Sequence, residues 1–93
     1  MDLRFQWDPE KAAANRRKHR VSFIEATTVF GDELSSTRLD RQHAAHEERY
    51  VTVGTSERGR LLVVVHTERG ERIRIISARR ATPGERRQYE EGG

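Results

Sequence analysis

His66 and Glu68 lie two positions apart in the run GRLLVVVHTERGERIRIISARR. On a strand, residues two apart point the same way. Arg72 and Arg74 follow across a short turn and can reach the same face from the neighbouring strand. A base beside fixed cations suits a reaction in which a proton departs while negative charge grows on the substrate. Arg79 stands at the end of that strand. The catalytic candidates are therefore His66, Arg74, Arg79 and Glu68. Structural readings compete with each. His66 could be buried and hydrogen-bonded to Glu68. Glu68 could form a cross-strand ion pair with Arg72 or Arg74. A second cationic cluster, NRRKHRVSF, sets Lys18 and His19 among Arg16, Arg17 and Arg20. The end of a helix accounts for much of it, because positive charge is favourable there. His43 and His46 are three apart beside Glu47, but a zinc site needs further ligands at defined spacing. No metal or other cofactor is expected.

The elements that would hold these groups follow from patterning. LRFQW alternates Leu3, Phe5 and Trp7 with polar residues, predicting a short strand. Asp8-Pro9 opens a helix that runs to about His19. Ser22 and Glu25 have capping-box spacing before a second helix through Phe30, closed by Gly31. Residues 31–48 read as a loop with a short strand near Leu34 to Leu39. Runs at about Arg49–Thr55, Arg60–Thr67 and Arg72–Arg79, joined by SERG and ERGE, predict a meander of two hairpins. Thr82, Pro83 and Glu85 start a last helix to about Glu91. The expected architecture is α+β, in the order β-α-α-β-β-β-α. A small antiparallel sheet would carry helices packed on one face.

Strand parity divides the meander. Val51, Val53, Leu61, Val63, Val65, Ile73 and Ile75 are all apolar and should meet the helices. Tyr50, Thr52, Leu62, Val64, His66, Glu68, Arg72, Arg74 and Ile76 form a mixed face, where a substrate or partner could sit. The N-terminal strand or the long loop could instead cover part of that face.

The 93 residues predict one domain, residues 1–93. With no cysteine, disulfides and thiolate metal sites are excluded, and a reducing cytoplasm fits. The longest apolar run, Leu61 to Val65, has strand length, so no membrane span is expected. The N-terminus lacks the basic flank and apolar core of a signal peptide. A net charge of +3 is modest and does not itself predict nucleic-acid binding. The kind of cation says more. Lys11 and Lys18 are the only lysines, so the rest is arginine, which forks onto phosphate and stacks on bases.

Three stretches, FQWDPEKAAAN, KHRVSFIEATTVFGD and GRLLVVVHTERGERIRIISARRAT, resemble the BrnT toxins of bacterial toxin–antitoxin pairs. The resemblance runs from about Phe5 to Tyr89. It implies a RelE-like fold and a ribonuclease that blocks translation. It also implies a BrnA-type antitoxin, a ribbon-helix-helix DNA-binding protein, joined to the toxin in a heterotetramer that reaches operator DNA only through the antitoxin. A metal-free ribonuclease of this kind activates a ribose 2′-OH against the adjacent phosphate. Lys18, His19 and Arg72 would then contact RNA, and Trp7 and Tyr50 could stack on bases, although Trp7 could equally be core. A non-catalytic homologue that only binds its antitoxin as a co-repressor is the alternative. The family commonly has glycine at Arg20 and an apolar residue at Arg16. Both arginines would widen an RNA- or antitoxin-facing patch rather than perform catalysis.

Overall fold

The computed structural model describes residues 3–40 and 48–92. The elements are β1 (Arg4–Gln6), α1 (Pro9–His19), α2 (Phe23–Thr28), a 3-10 turn (Val29–Gly31), β2 (Ser36–Asp40), β3 (Arg49–Thr55), β4 (Leu61–Arg69), β5 (Arg72–Arg80) and α3 (Pro83–Glu90). Each helix begins where its capping residue predicts. Asp8 accepts the Glu10 N–H at 2.8 Å, and Ser22 accepts the Glu25 N–H at 3.0 Å. Thr82 and Glu85 complete both halves of a capping box. At α2 only the serine half forms, because the Glu25 carboxylate is used elsewhere.

The sheet order is β1-β5-β4-β3-β2. It is mixed rather than wholly antiparallel: β1 runs parallel to β5, while every other pairing is antiparallel. The alternation in LRFQW marks a strand but says nothing of its partner. The short strand expected near Leu34–Leu39 is β2.

One irregularity decides what each face carries. Val65 pairs with Ser77, but His66 pairs with Ile75, leaving Ile76 as an extra residue on β5. Such a bulge inverts the alternation of everything beyond it on that strand. Ala78 lies on the face of Leu62 and Val64, and past the bulge Ile75 and Ile73 join it. These residues form the core with Val21, Phe23, Ala26 and Val29, and Phe5, Trp7, Ala12 and Phe30 pack against them. The expectation that the Val51/Val63/Val65 set meets α1 and α2 is therefore reversed for β3 and β4. Both parities there are apolar, so parity alone could not choose between them. α3 is tied from the other face, through Arg79 to Glu85 and through Thr55 to Tyr89.

Two polar ties lock the α1–α2 layer to the sheet. Buried Asn15 donates to the Ala78 carbonyl at 2.8 Å and accepts the Ala78 N–H at 3.1 Å, sealing β5 where β1 no longer pairs with it. It also donates to the Val21 carbonyl at 3.0 Å. Glu25, nearly buried on α2, accepts from both Arg60 Nε at 2.9 Å and Ser56 Oγ at 2.7 Å, with a further short bond to Arg60 Nη2. The Arg60 bonds hold the Glu25 carboxyl below its usual range despite its burial. Gly54 permits the close fit beside this layer, since a Cβ there would lie 2.9 Å from Val29.

Arg20 caps α1 in the left-handed region, with φ 58° and ψ 34°. That conformation costs a residue with a Cβ about 1 kcal/mol or more relative to glycine. Its carbonyl accepts from Arg60 Nη2, a backbone contact that glycine would keep. Arg20→Gly should therefore stabilise the fold by about 1 kcal/mol, raising Tm by about 4–8 °C in a thermal melt.

Candidate functional site

Arginine gathers on the sheet face away from α1 and α2. Phe5 pairs with Ile73 on the core side, so Arg4, paired with Arg72, and Gln6, paired with Arg74, point the other way. Arg38 joins them from β2 and Arg79 from β5, through pairing with Val51 and Val63. Between these last two lies a cleft of about 420 Å³, floored by Val51, Val63 and Val65 and edged by Asp40 and Ser77. Arg74 sits opposite Thr67, one step of about 7 Å along β4 from Val65. Among the described residues, the side chains of Arg4, Arg38, Arg72 and Arg74 have no hydrogen-bond or ion-pair partner. Arg79 differs. It forks onto Glu85 with two bonds of 2.8 Å, and that pairing pulls the Glu85 carboxyl down to about 2.

His66 occupies the opposite face. It is 5% exposed, set edge-on to Phe30 at 5.0 Å and stacked on Tyr50 at 5.9 Å. Nε2 lies 2.7 Å from Thr52 Oγ1, which lies 2.7 Å from Thr37 Oγ1. If Nε2–H donates to Thr52 and Thr52 donates to Thr37, the donors of His66 and Thr52 are both used, and the lone pair of Nδ1 is the part of the ring without a protein partner. Burial pushes the imidazole down to about 4, so it is neutral near pH 7.

The sequence and the fold match a known group of proteins. Residues 7–85 match the sequence family described as the ribonuclease toxin, BrnT, of type II toxin–antitoxin systems. The chain belongs to the BrnT family. Among solved structures, the 1.1 Å crystal structure of the Brucella abortus ribonuclease toxin, BrnT, is similar with a TM-score of 0.64. Identity is 20%, over 87% of this chain and 99% of that one, which shows a shared fold. A search of curated proteins found no match.

The residues anticipated from sequence are divided by this BrnT fold. Arg72, Arg74 and Arg79 share the open face. His66 lies on the helix side with Tyr50 stacked against it, and Glu68 follows on the same side. The bulge separates them: it pairs Glu68 with Ile73 instead of an arginine. None of the three expected partners of Glu68 is realised among the described residues: His66 bonds to Thr52, and Ile73 stands opposite Glu68 in place of Arg72 or Arg74. Trp7 packs edge-on to Phe23 at 6.0 Å, within the helix layer. Lys18 and His19 end α1, near Ala78 and the Leu61 end of β4, roughly 17 Å along that strand from His66. Arg38, Asp40 and Arg4 were missed, because their strands are short and polar. Their placement becomes visible only through pairing with β3 and β5. His43 and His46 lie outside the described residues.

His66 makes a pH-dependent prediction. Above about pH 6.5 neither folded nor unfolded His66 holds the extra proton. Between 6.5 and about 4 only the unfolded chain binds it, so stability falls as pH falls. The loss is complete below about 4 and approaches roughly 3 kcal/mol. Urea melts across this range should show that His66→Gln flattens the decline between pH 6.5 and 4, leaving the carboxylate-driven losses at lower pH.

Proposed function

We propose that this chain cleaves RNA on the arginine-bearing face of its sheet. The observation that carries this reading is the set of arginines, Arg4, Arg38, Arg72 and Arg74, which have no partner among the described residues and share one face with Arg79. Arginines without a carboxylate partner keep their donors for phosphate oxygens. The valine floor of the cleft offers a surface against which a ribose or base can lie.

In this reading the chain, the RNA and a solvent proton suffice for cleavage. The 2′-oxygen attacks the adjacent phosphorus, the bond to the 5′-oxygen breaks, and a 2′,3′-cyclic phosphate and a 5′-OH result. Arg74 and Arg72 stabilise the charge that accumulates on the phosphorane. In this reading Asp40, which lines the cleft edge, takes the 2′-OH proton, and solvent returns one to the 5′-oxygen. Arg79, oriented by Glu85, positions the strand. His66 supports the opposite face through Thr52 and stays out of the reaction. Lys18 and His19 extend RNA contact at the α1 end. Cutting RNA in the cytoplasm would block translation, and a BrnA-type DNA-binding antitoxin would hold the toxin in a heterotetramer.

A second reading is a non-catalytic antitoxin-binding co-repressor. The bidentate tie between Arg79 and Glu85 favours it, because one anticipated catalytic cation is already neutralised. Single-turnover cleavage of a labelled RNA separates the two. Arg74→Ala should slow cleavage by about a hundredfold or more, and Asp40→Asn by a similar factor. His66→Gln should leave the rate near that of the parent at pH 7. No cleavage by the folded parent chain would favour the co-repressor. Loss of cleavage in His66→Gln alone would move the chemistry to the other face.

A further inference from the structure

The α1–α2 layer leaves an apolar groove on its outer surface. Trp7, Ala12 and Phe23 contribute to a recess of about 270 Å³, and Ile24 beside it is 69% exposed. Arg16 lines this recess and continues into an adjoining one of about 450 Å³, shared with Arg20 and Arg58. No described residue pairs with the side chain of Arg16 or Arg20. The nearby carboxylate, Glu25, has a side chain only 3% exposed and is already bound by Arg60, with Arg58 at 3.7 Å. Arg58 is ion-paired with Glu25, and the groove therefore joins exposed apolar surface to positive charge in excess of that one carboxylate.

We infer that this groove docks an acidic amphipathic helix of the partner antitoxin. The inference rests on the toxin–antitoxin reading and goes beyond it by naming the surface. A helix presents apolar side chains at i, i+3, i+4 and i+7, which suit the strip made by exposed Ile24 with half-buried Trp7 and Ala12. Carboxylates on its flank meet Arg16, Arg20 and Arg58. A protein helix covers the apolar strip and meets the arginines at once, so charge and apolarity together favour it over RNA. The two family departures, Arg16 and Arg20, fall on this rim. The groove lies across the sheet from Arg72 and Arg74, so a helix bound here anchors the antitoxin without contacting the proposed phosphate site.

Trp7 is the sole tryptophan, so 5-fluorotryptophan labels the groove and nothing else in this chain. The labelled full-length chain would be titrated with purified cognate antitoxin, with complex formation followed by gel filtration. The fluorine resonance should move in step with complex formation. Arg16→Glu with Ile24→Glu, both at exposed positions, should weaken binding by about tenfold or more while leaving RNA cleavage intact. Arg58→Glu, from the β3–β4 turn, should weaken it independently, and circular dichroism would establish that each variant is folded. A complex that forms with the resonance unmoved and the affinity of every folded variant unchanged overturns the docking site alone. Failure to form any complex overturns the antitoxin reading with it. A resonance that moves with 2′-O-methyl RNA and not with antitoxin assigns the groove to nucleic acid and overturns the proposal.

Discussion

A single unpaired residue, Ile76, sets the character of both faces of the sheet. Without it, β5 would keep one alternation along its length. Arg72 and Arg74 would then share the side of His66, beneath the helix layer. Drawing guanidinium groups toward that layer costs desolvation even where Glu68 would stand opposite Arg74. With the bulge, Ile73 and Ile75 enter the core instead, and the arginines turn to the open side. The same step completes the hydrophobic packing and concentrates the cations. Both outcomes come from one register shift, so neither can be altered alone.

The helix layer has to be rigid for this division to hold. α1 is short of apolar residues, so packing alone holds it weakly. Asn15 compensates by satisfying both backbone groups of Ala78. Glu25, Ser56 and Arg60 join α2 to the β3–β4 hairpin, and Arg60 reaches on to the carbonyl of Arg20. A buried ion pair of this kind contributes little net stability, but loss of one partner strands a buried charge. Its role is to fix where the helices lie. At the sheet's far end, Asp32 accepts from Thr55 N–H at 2.8 Å and from Tyr89 Oη at 2.5 Å, which brings α3 against the same hairpin strand.

Much of this was legible in the sequence. Asp8-Pro9, Ser22 and Thr82 marked the helix starts because caps act through local geometry. The glycine-bearing links between β3, β4 and β5 marked the hairpins for the same reason. The family was legible in long runs around His66 and Phe23. The faces were not. Val63 and Val64 are alike to any parity argument, and a bulge leaves no obvious mark in RIRIISAR. That is why His66 and Arg74, joined by spacing, lie on opposite sides. The arginines of β1 and β2 escaped notice because those strands acquire a face only by pairing with distant partners. A shared fold does not repair this, since function resides in the site rather than the scaffold.

Where RNA lies is best tested by nuclear magnetic resonance of the arginine Nε–H groups and the His66 ring. The ligand would be an RNA made uncleavable by a 2′-deoxy substitution at the cut site. Binding to the open face predicts that the resonances of Arg72 and Arg74 shift on titration while those of His66 and Tyr50 stay in place. Shifts centred on His66 and Tyr50, with both arginines unchanged, would contradict it.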